Sequence, residues 1–166
     1  MRQKILVVED NELNLKLFCD LLRAHGYEAE PVRDGREALG RARLFLPDLI
    51  VMDIQMPHIS GLELIGRIKA DEDLRGTPIM AVTAYAAKGD EERIRQAGAE
   101  GYVSKPISVI RFVEAVVALL DAAQERAPAT PEAEHNVEAF GAEAARSTEA
   151  SDTAEELLPQ PETGAD

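Results

Sequence analysis

The sequence contains little cysteine, few aromatic residues and no long apolar run. It has one cysteine and no tryptophan, and aromatic residues make up 4% of its 166 residues. The lone Cys19 excludes an internal disulfide, and no pattern of metal-ligating residues surrounds it. Apolar runs of only a handful of residues exclude a membrane-spanning helix. Residues Met1–Ile5 lack the apolar segment of a signal peptide, so we expect a cytoplasmic protein.

Positive charge is also scarce. The chain carries 18 Lys and Arg residues against 31 Asp and Glu residues, a formal net charge of −13. Nucleic acids and anionic membranes attract positively charged surfaces, so this balance makes both of them poor candidates as partners. We therefore expect a protein that neither binds nucleic acid nor inserts into a membrane.

The negative charge is concentrated at one end of the chain. Residues 127–166 contain ten acidic residues and one basic residue, a net charge of −9, with few bulky apolar residues. Such a segment cannot bury enough apolar surface to offset its loss of chain entropy on folding. We predict a folded domain at residues 1–126 and a disordered acidic tail at residues 127–166. The alternative is that Glu155–Leu158 forms a docking segment.

Within residues 1–126, short apolar runs alternate with segments of helical periodicity. The predicted strands are residues 5–8, 28–32, 49–52, 79–82 and 102–104. The predicted helices lie between Asn11 and Gly26, from Gly35 to just before Pro47, and at residues 62–70, 90–97 and 109–124. The apolar residues at helical spacing in the first helix are Leu13, Leu17, Phe18 and Leu21. Five strand–helix repeats predict an α/β fold, a doubly wound parallel sheet covered on both faces.

Polar side chains follow four of the five predicted strands. They are Glu9 and Asp10 after the first strand, Asp53 after the third, Thr83 after the fourth and Lys105 after the fifth. The carboxyl ends of parallel strands share one edge of the sheet, where such folds place their sites. Carboxylates brought together there repel one another unless a cation lies among them, and a set of oxygen ligands favours Mg²⁺. An aspartate beside Mg²⁺, a lysine and a hydroxyl has the groups needed to accept a phosphoryl group.

These landmarks resemble the receiver domain of bacterial two-component response regulators over residues 4 to about 122. Stretches at residues 8–14, 88–95 and 104–108 are similar to stand-alone receivers that control cell division and polarity in alphaproteobacteria. The resemblance implies a flavodoxin-like (βα)5 sheet with the strand order 2-1-3-4-5. It also implies a phosphorelay switch that turns over no free substrate and is recruited to the cell pole by its kinase partners.

The resemblance implies a role for each landmark. Asp53 would accept the phosphoryl group, and Lys105 and Thr83 would bind its oxygens. The ligands of Mg²⁺ would be Asp10, Asp53, the backbone carbonyl of Gln55 and, through a bound water, Glu9. The peptide bond between Lys105 and Pro106 would be cis.

The resemblance extends to the switch and to partner surfaces. Thr83 and the aromatic Tyr102 would move together on phosphorylation, and Gln55 and Tyr85 would tune dephosphorylation. The helical bundle of a histidine kinase would contact the first helix at Asn14, Leu15 and Phe18. The alternative is that these side chains pack in the core, which we favour for Phe18 but less for Leu15. Downstream proteins would bind the face formed by the fourth helix, fifth strand and fifth helix, at Arg93, Tyr102 and Val109.

Three other functions compete with a phosphorelay switch. A phosphatase of the haloacid dehalogenase type needs a second aspartate two residues after the first, where this chain has Gln55. A flavodoxin needs a phosphate-binding loop after the first strand, where the acidic stretch Glu9–Glu12 would repel phosphate. A degenerate receiver that binds its partners constitutively remains an alternative.

Overall fold

The computed structural model describes residues 2–84 and 88–126. The strands are β1 Lys4–Val8, β2 Glu28–Val32, β3 Leu49–Asp53, β4 Ile79–Thr83 and β5 Gly101–Ser104. The helices are α1 Glu12–Ala24, α2 Ala38–Phe45, α3 Gly61–Ala70, α4 Lys88–Ala97 and α5 Val109–Arg126, and a 3₁₀ turn, Gly35–Glu37, precedes α2. The five strands form one parallel sheet in the order β2-β1-β3-β4-β5, which confirms the predicted fold. The predicted tail lies outside the described residues.

The sheet is covered on both faces because side chains alternate along each strand. In β1, Leu6 and Val8 pack with buried residues of α2, α3 and α4, whereas Ile5 and Val7 pack with those of α1 and α5. The rings of Phe18 in α1 and Phe112 in α5 stack with their centroids 5.0 Å apart. The central strands β3 and β4 are buried along their whole length, as the apolar runs in the sequence predict.

Helix α1 has a different orientation about its axis from the one predicted. Asn11 caps the helix by accepting a hydrogen bond from the amide of Asn14 at 3.0 Å. The buried residues are Leu15, Phe18, Cys19 and Leu22, which follow the i, i+3, i+4, i+7 spacing of a core face. Leu13 and Leu17 are 79% and 42% exposed, so the predicted apolar face was wrong for both.

An ion pair joins the elements at the amino end of the sheet. The ammonium of Lys69 in α3 lies 2.7 Å from the carboxylate of Glu100 and donates to the carbonyls of Arg75 and Thr77. Glu100 also accepts a hydrogen bond from the amide of Ile79 at 2.8 Å. The pair therefore holds α3, the start of β4 and the approach to β5 together.

We expect Lys69→Met to lower the free energy of unfolding by about 2–3 kcal/mol, because it leaves a partly buried carboxylate and two carbonyls without their donor. Urea unfolding measures the loss. Lys16→Met is the matched control, because Lys16 and Asp20 form an equally short pair, 2.7 Å, on the exposed face of α1. That substitution should change stability by less than about 0.5 kcal/mol. Equal losses of unfolding free energy in Lys69→Met and Lys16→Met would show that the Lys69 contacts add no particular stability.

Candidate functional site

The carboxyl edge of the sheet gathers the predicted site residues. Glu9 continues β1, with its amide bonded to the carbonyl of Val32, and Asp53 ends the neighbouring β3. Thr83 ends β4, and its carbonyl accepts the amide of Lys105 at 2.8 Å. Glu9, Asp53 and Thr83 are each 1% exposed, and within the described ranges they are the buried residues with polar side chains. The sheet order thus brings residues from four segments of the chain to one place.

Three carboxylates form a tight cluster at this edge. One oxygen each from Glu9, Asp10 and Asp53 lies within 4.8 Å of the other two. The ammonium of Lys105 lies 3.4 Å from Glu9 Oε1 and 3.4 Å from Asp53 Oδ1. Glu9 Oε1 and Asp53 Oδ2 are buried and accept no hydrogen bond from the described part of the chain. One ammonium against three carboxylates leaves an excess of negative charge, so the cluster fits a hard divalent cation such as Mg²⁺.

The Asp53 carboxyl has a raised pKa. Burial, together with the adjacent carboxyls of Glu9 and Asp10, raises the pKa of Asp53 from 3.8 to about 7, while the Lys105 ammonium opposes the shift. A cation at the cluster would favour the ionised carboxylate. Without a cation, the Asp53 carboxyl is therefore a mixture of its protonated and ionised forms near neutral pH.

The start of α3 packs directly on the backbone of Asp53. Ser60 caps α3 by accepting the amides of Leu62 and Glu63, and the amide of Gly61 donates to the carbonyl of Ile54 at 3.0 Å. A Cβ at Gly61 would overlap the carbonyl oxygen of Asp53 and lie 2.7 Å from the Cα of Ile54. Only glycine fits this contact. Sequence reasoning missed it because Gly61 lies eight residues after Asp53, and only the folded loop brings the two together.

The side chain of Gln55 connects the loop after β3 to the end of β4. Its backbone amide donates to Asp53 Oδ1 at 3.2 Å. Its side-chain oxygen accepts the amide of Ala84 at 3.0 Å, and its side-chain nitrogen lies 3.5 Å from the hydroxyl of Thr83. Gln55 thus contacts both the acidic cluster and the hydroxyl at the neighbouring strand end.

Tyr102 lies on β5 facing α4. A hydrogen bond with Glu91 of α4 raises the pKa of the Tyr102 hydroxyl. The ring is half-buried, and Arg93 and Val109, the other residues of the predicted downstream face, are exposed. The peptide bond between Lys105 and Pro106 is cis, as the resemblance implies. Tyr85 lies outside the described residues.

Most of the chain matches one known protein family. The family model described as the response regulator receiver domain matches residues 5–117. The chain belongs to the response regulator receiver family. In the part of this receiver that the structure describes, no helix is long and apolar enough to cross a membrane.

Curated relatives and solved structures agree with that assignment. The polar-differentiation response regulator DivK of Brucella ovis is 58% identical over 120 residues, which cover 72% of this chain and 98% of that protein. The chemotaxis protein CheY4 of Vibrio cholerae is 27% identical, with a TM-score of 0.69 over 72% of this chain and 99% of that one. The receiver domain of the sensor histidine kinase PA1611 of Pseudomonas aeruginosa, solved with magnesium in its active-site cleft, is 35% identical, with a TM-score of 0.68 over 73% and 99% of the two chains.

The structure places two of the three predicted kinase-facing residues of this receiver in the core, as the alternative for Phe18 predicted. Leu15 and Phe18 are 5% and 0% exposed, because both belong to the core face of α1. Neither offers a docking surface in this state. Asn14 is half-buried beside them, and the outward face instead presents Leu13 and Leu17.

Proposed function

We propose that this receiver accepts a phosphoryl group on Asp53 from the phosphohistidine of a histidine kinase, in a reaction that requires Mg²⁺. The proposal is carried by one observation: a nearly fully buried aspartate lies against two further carboxylates and 3.4 Å from a lysine ammonium. The receiver would occupy residues 1–126. Kinship with DivK proteins, whose name refers to polar differentiation, supports a role in cell division, the cell cycle or polarity.

The chain's own residues would carry the transfer. An Asp53 carboxylate oxygen attacks phosphorus, the phosphorus–nitrogen bond breaks, and the imidazole of the kinase leaves with the electron pair. Lys105 is placed to neutralise the phosphoryl oxygens, and the Thr83 hydroxyl would donate a hydrogen bond to one of them. Asp10, Asp53, the backbone carbonyl of Gln55 and, through a water, Glu9 would hold Mg²⁺. When bound, the ion offsets the negative charge of carboxylates and phosphoryl oxygens.

Output would be a change in protein binding. The phosphoryl group on Asp53 adds negative charge and three acceptor oxygens at the end of β3, beside the end of β4. Thr83 would move toward them, and Tyr102 would leave Glu91 and turn inward. The face of α4, β5 and α5, with Arg93, Tyr102 and Val109, would then engage downstream signalling proteins. We propose a switch that turns over no free substrate, located in the cytoplasm and recruited to the cell pole by its kinases.

Gln55 and Tyr85 would set how long the phosphorylated state lasts. Gln55 is exposed two residues after the phosphoacceptor. It would border the path by which water reaches the acyl phosphate. The alternative function, constitutive binding by a degenerate receiver, requires no phosphoryl transfer. The complete set of polar residues at the strand ends favours the switch.

Intact-mass analysis after incubation with acetyl phosphate tests the proposal. One phosphoryl adduct should form on the wild type with Mg²⁺, and none should form with EDTA or on Asp53→Asn. An adduct that persists in Asp53→Asn would contradict the assignment of Asp53. Absence of an adduct on the wild type, together with no transfer from a phosphorylated kinase domain, would favour the constitutive module.

The exposed face of α1 gives a separate prediction about the kinase. We expect Leu13→Ser with Leu17→Ser to slow transfer from a histidine kinase about tenfold or more, because both side chains are exposed and supply apolar area to a partner. Phosphorylation by acetyl phosphate should be unchanged. Leu44→Ser, which removes an 85% exposed leucine from α2, is the control and should transfer normally. Equal rates in all three proteins would place kinase docking elsewhere.

A further inference from the structure

The side chain of Gln55 crosses from one strand end to the next. Its oxygen accepts the Ala84 amide at 3.0 Å, and its nitrogen lies 3.5 Å from Thr83 Oγ1. Its own backbone amide binds the Asp53 carboxylate at 3.2 Å. One residue therefore contacts both the phosphoacceptor and the first two residues that would respond to phosphorylation. These contacts belong to the unphosphorylated protein.

We infer that the Gln55 side chain is a latch that holds Ala84 and Thr83 in the unphosphorylated arrangement and must release them when Asp53 carries a phosphoryl group. The inference rests on the proposed phosphorylation of Asp53. It assigns the amide of Gln55 a positioning role in the switch that is separate from any effect on the hydrolytic water.

Competition for donors is the physical basis of the latch. A phosphoryl group brings three strong acceptor oxygens to Asp53. The end of β4 carries two donors, the Ala84 amide and the Thr83 hydroxyl, and the side chain of Gln55 links both residues to the loop that follows Asp53. An N–H group makes one strong hydrogen bond, so Ala84 cannot satisfy both Gln55 and a phosphoryl oxygen. If the Ala84 amide binds a phosphoryl oxygen, its hydrogen bond to the Gln55 side chain must therefore break.

The Gln55 hydrogen bonds are weak enough to break when Asp53 is phosphorylated. Gln55 is exposed, so water replaces its hydrogen bonds readily when they break. A net hydrogen bond of this kind changes an equilibrium by about threefold to tenfold. A change of this size shifts the equilibrium toward the unphosphorylated arrangement without preventing the phosphorylated one. Removing the side-chain amide should therefore favour the phosphorylated arrangement by a factor of this size.

Amide hydrogen exchange of the unphosphorylated full chain tests the latch directly. Gln55→Met keeps the length of the side chain and removes its acceptor, so the Ala84 amide should exchange about threefold to tenfold faster. Gln55→Glu retains an acceptor and should restore slow exchange. Gln96→Ala is the control, because Gln96 bonds to Glu92 within α4, and exchange at Ala84 should not change. Equal exchange at Ala84 in the wild type and Gln55→Met would overturn the inference.

Binding of beryllofluoride, a mimic of the acyl phosphate, tests whether loss of the Gln55 side-chain amide favours the phosphorylated arrangement. At saturating Mg²⁺, Gln55→Met should bind it about threefold to tenfold more tightly than the wild type, and Gln96→Ala should bind it equally. Equal or weaker binding by Gln55→Met would overturn the latch. Failure of the wild type to bind beryllofluoride would instead contradict the proposed function, and the exchange experiment would still decide whether Gln55 restrains Ala84.

Discussion

Asp53→Asn should stabilise the Mg²⁺-free protein at alkaline pH, by about 2–4 kcal/mol above pH 8. The wild type must bury a charge beside Glu9 and Asp10, and asparagine has the same shape without that charge. The change corresponds to a rise in Tm of roughly 8–15 °C for a domain of this size. Thermal unfolding in EDTA at pH 5 and pH 8 measures it.

The sign of this pH dependence comes from the raised pKa of Asp53. The pKa is about 7 in the folded protein and 3.8 in the unfolded chain, so the folded state binds the additional proton between these values. Stability of the wild type from this group is therefore present at low pH and is lost as pH rises toward and through 7. Because the loss begins near pH 3.8, the advantage of Asp53→Asn should already be present at pH 5 and should be largest at pH 8.

Two controls separate this effect from general changes in charge. Asp121→Asn, at an exposed position of α5, should leave the stability unchanged within about 0.5 kcal/mol at both pH values. Mg²⁺ should raise the Tm of the wild type more than that of Asp53→Asn, because it neutralises the cluster. A destabilised Asp53→Asn at pH 8 in EDTA would contradict the electrostatic account of the site.

Gly61→Ala should lower the free energy of unfolding by about 3 kcal/mol or more. The new Cβ would meet the backbone of Asp53 and Ile54, which cannot rotate away as a flexible side chain would. Either α3 or the end of β3 must shift. We expect the shift to displace Asp53 as well, and to weaken Mg²⁺ binding by about tenfold. Urea unfolding and calorimetric titration with Mg²⁺ measure the two effects.

The same helix supplies the matched control. Gly66 lies in the interior of α3, and no described atom lies within 4 Å of a Cβ built on it. Gly66→Ala should therefore increase stability by about 0.5–1 kcal/mol through helix propensity and leave Mg²⁺ binding unchanged. Two glycine-to-alanine changes in one helix are thus expected to act in opposite directions. Similar effects from both would show that the close approach to Asp53 is unimportant.

The sheet and the positions of the site residues could be predicted from the sequence because they depend on local patterns. Apolar runs mark β1, β3 and β4, and a parallel sheet brings the residues at the carboxyl ends of these strands to one edge. The helix phase of α1 was harder to predict, because leucines lie on both of its faces. Leu13 and Leu17 have helical spacing, but so does the buried set that contains Leu15 and Cys19.

Two features of the site depend on tertiary contacts that no local pattern indicates. The close approach of Gly61 to Asp53 arises from the path of the loop after β3. The hydrogen bond between Gln55 and Ala84 joins residues 29 positions apart. Both contacts lie beside the acidic cluster. Sequence reasoning therefore predicted the reacting groups and missed these two contacts that hold them in place.

Transfer from a phosphorylated histidine kinase is the most direct test of the central claim. A kinase domain labelled on its histidine with radioactive phosphate is mixed with the wild type or with Asp53→Asn in Mg²⁺, and the label on each chain is measured over time. We predict that the label moves to the wild type as a base-labile acyl phosphate and stays on the kinase with Asp53→Asn. Label that remains on the kinase with every histidine kinase of the host, or that moves equally to Asp53→Asn, would contradict the assignment of Asp53 as the phosphoacceptor.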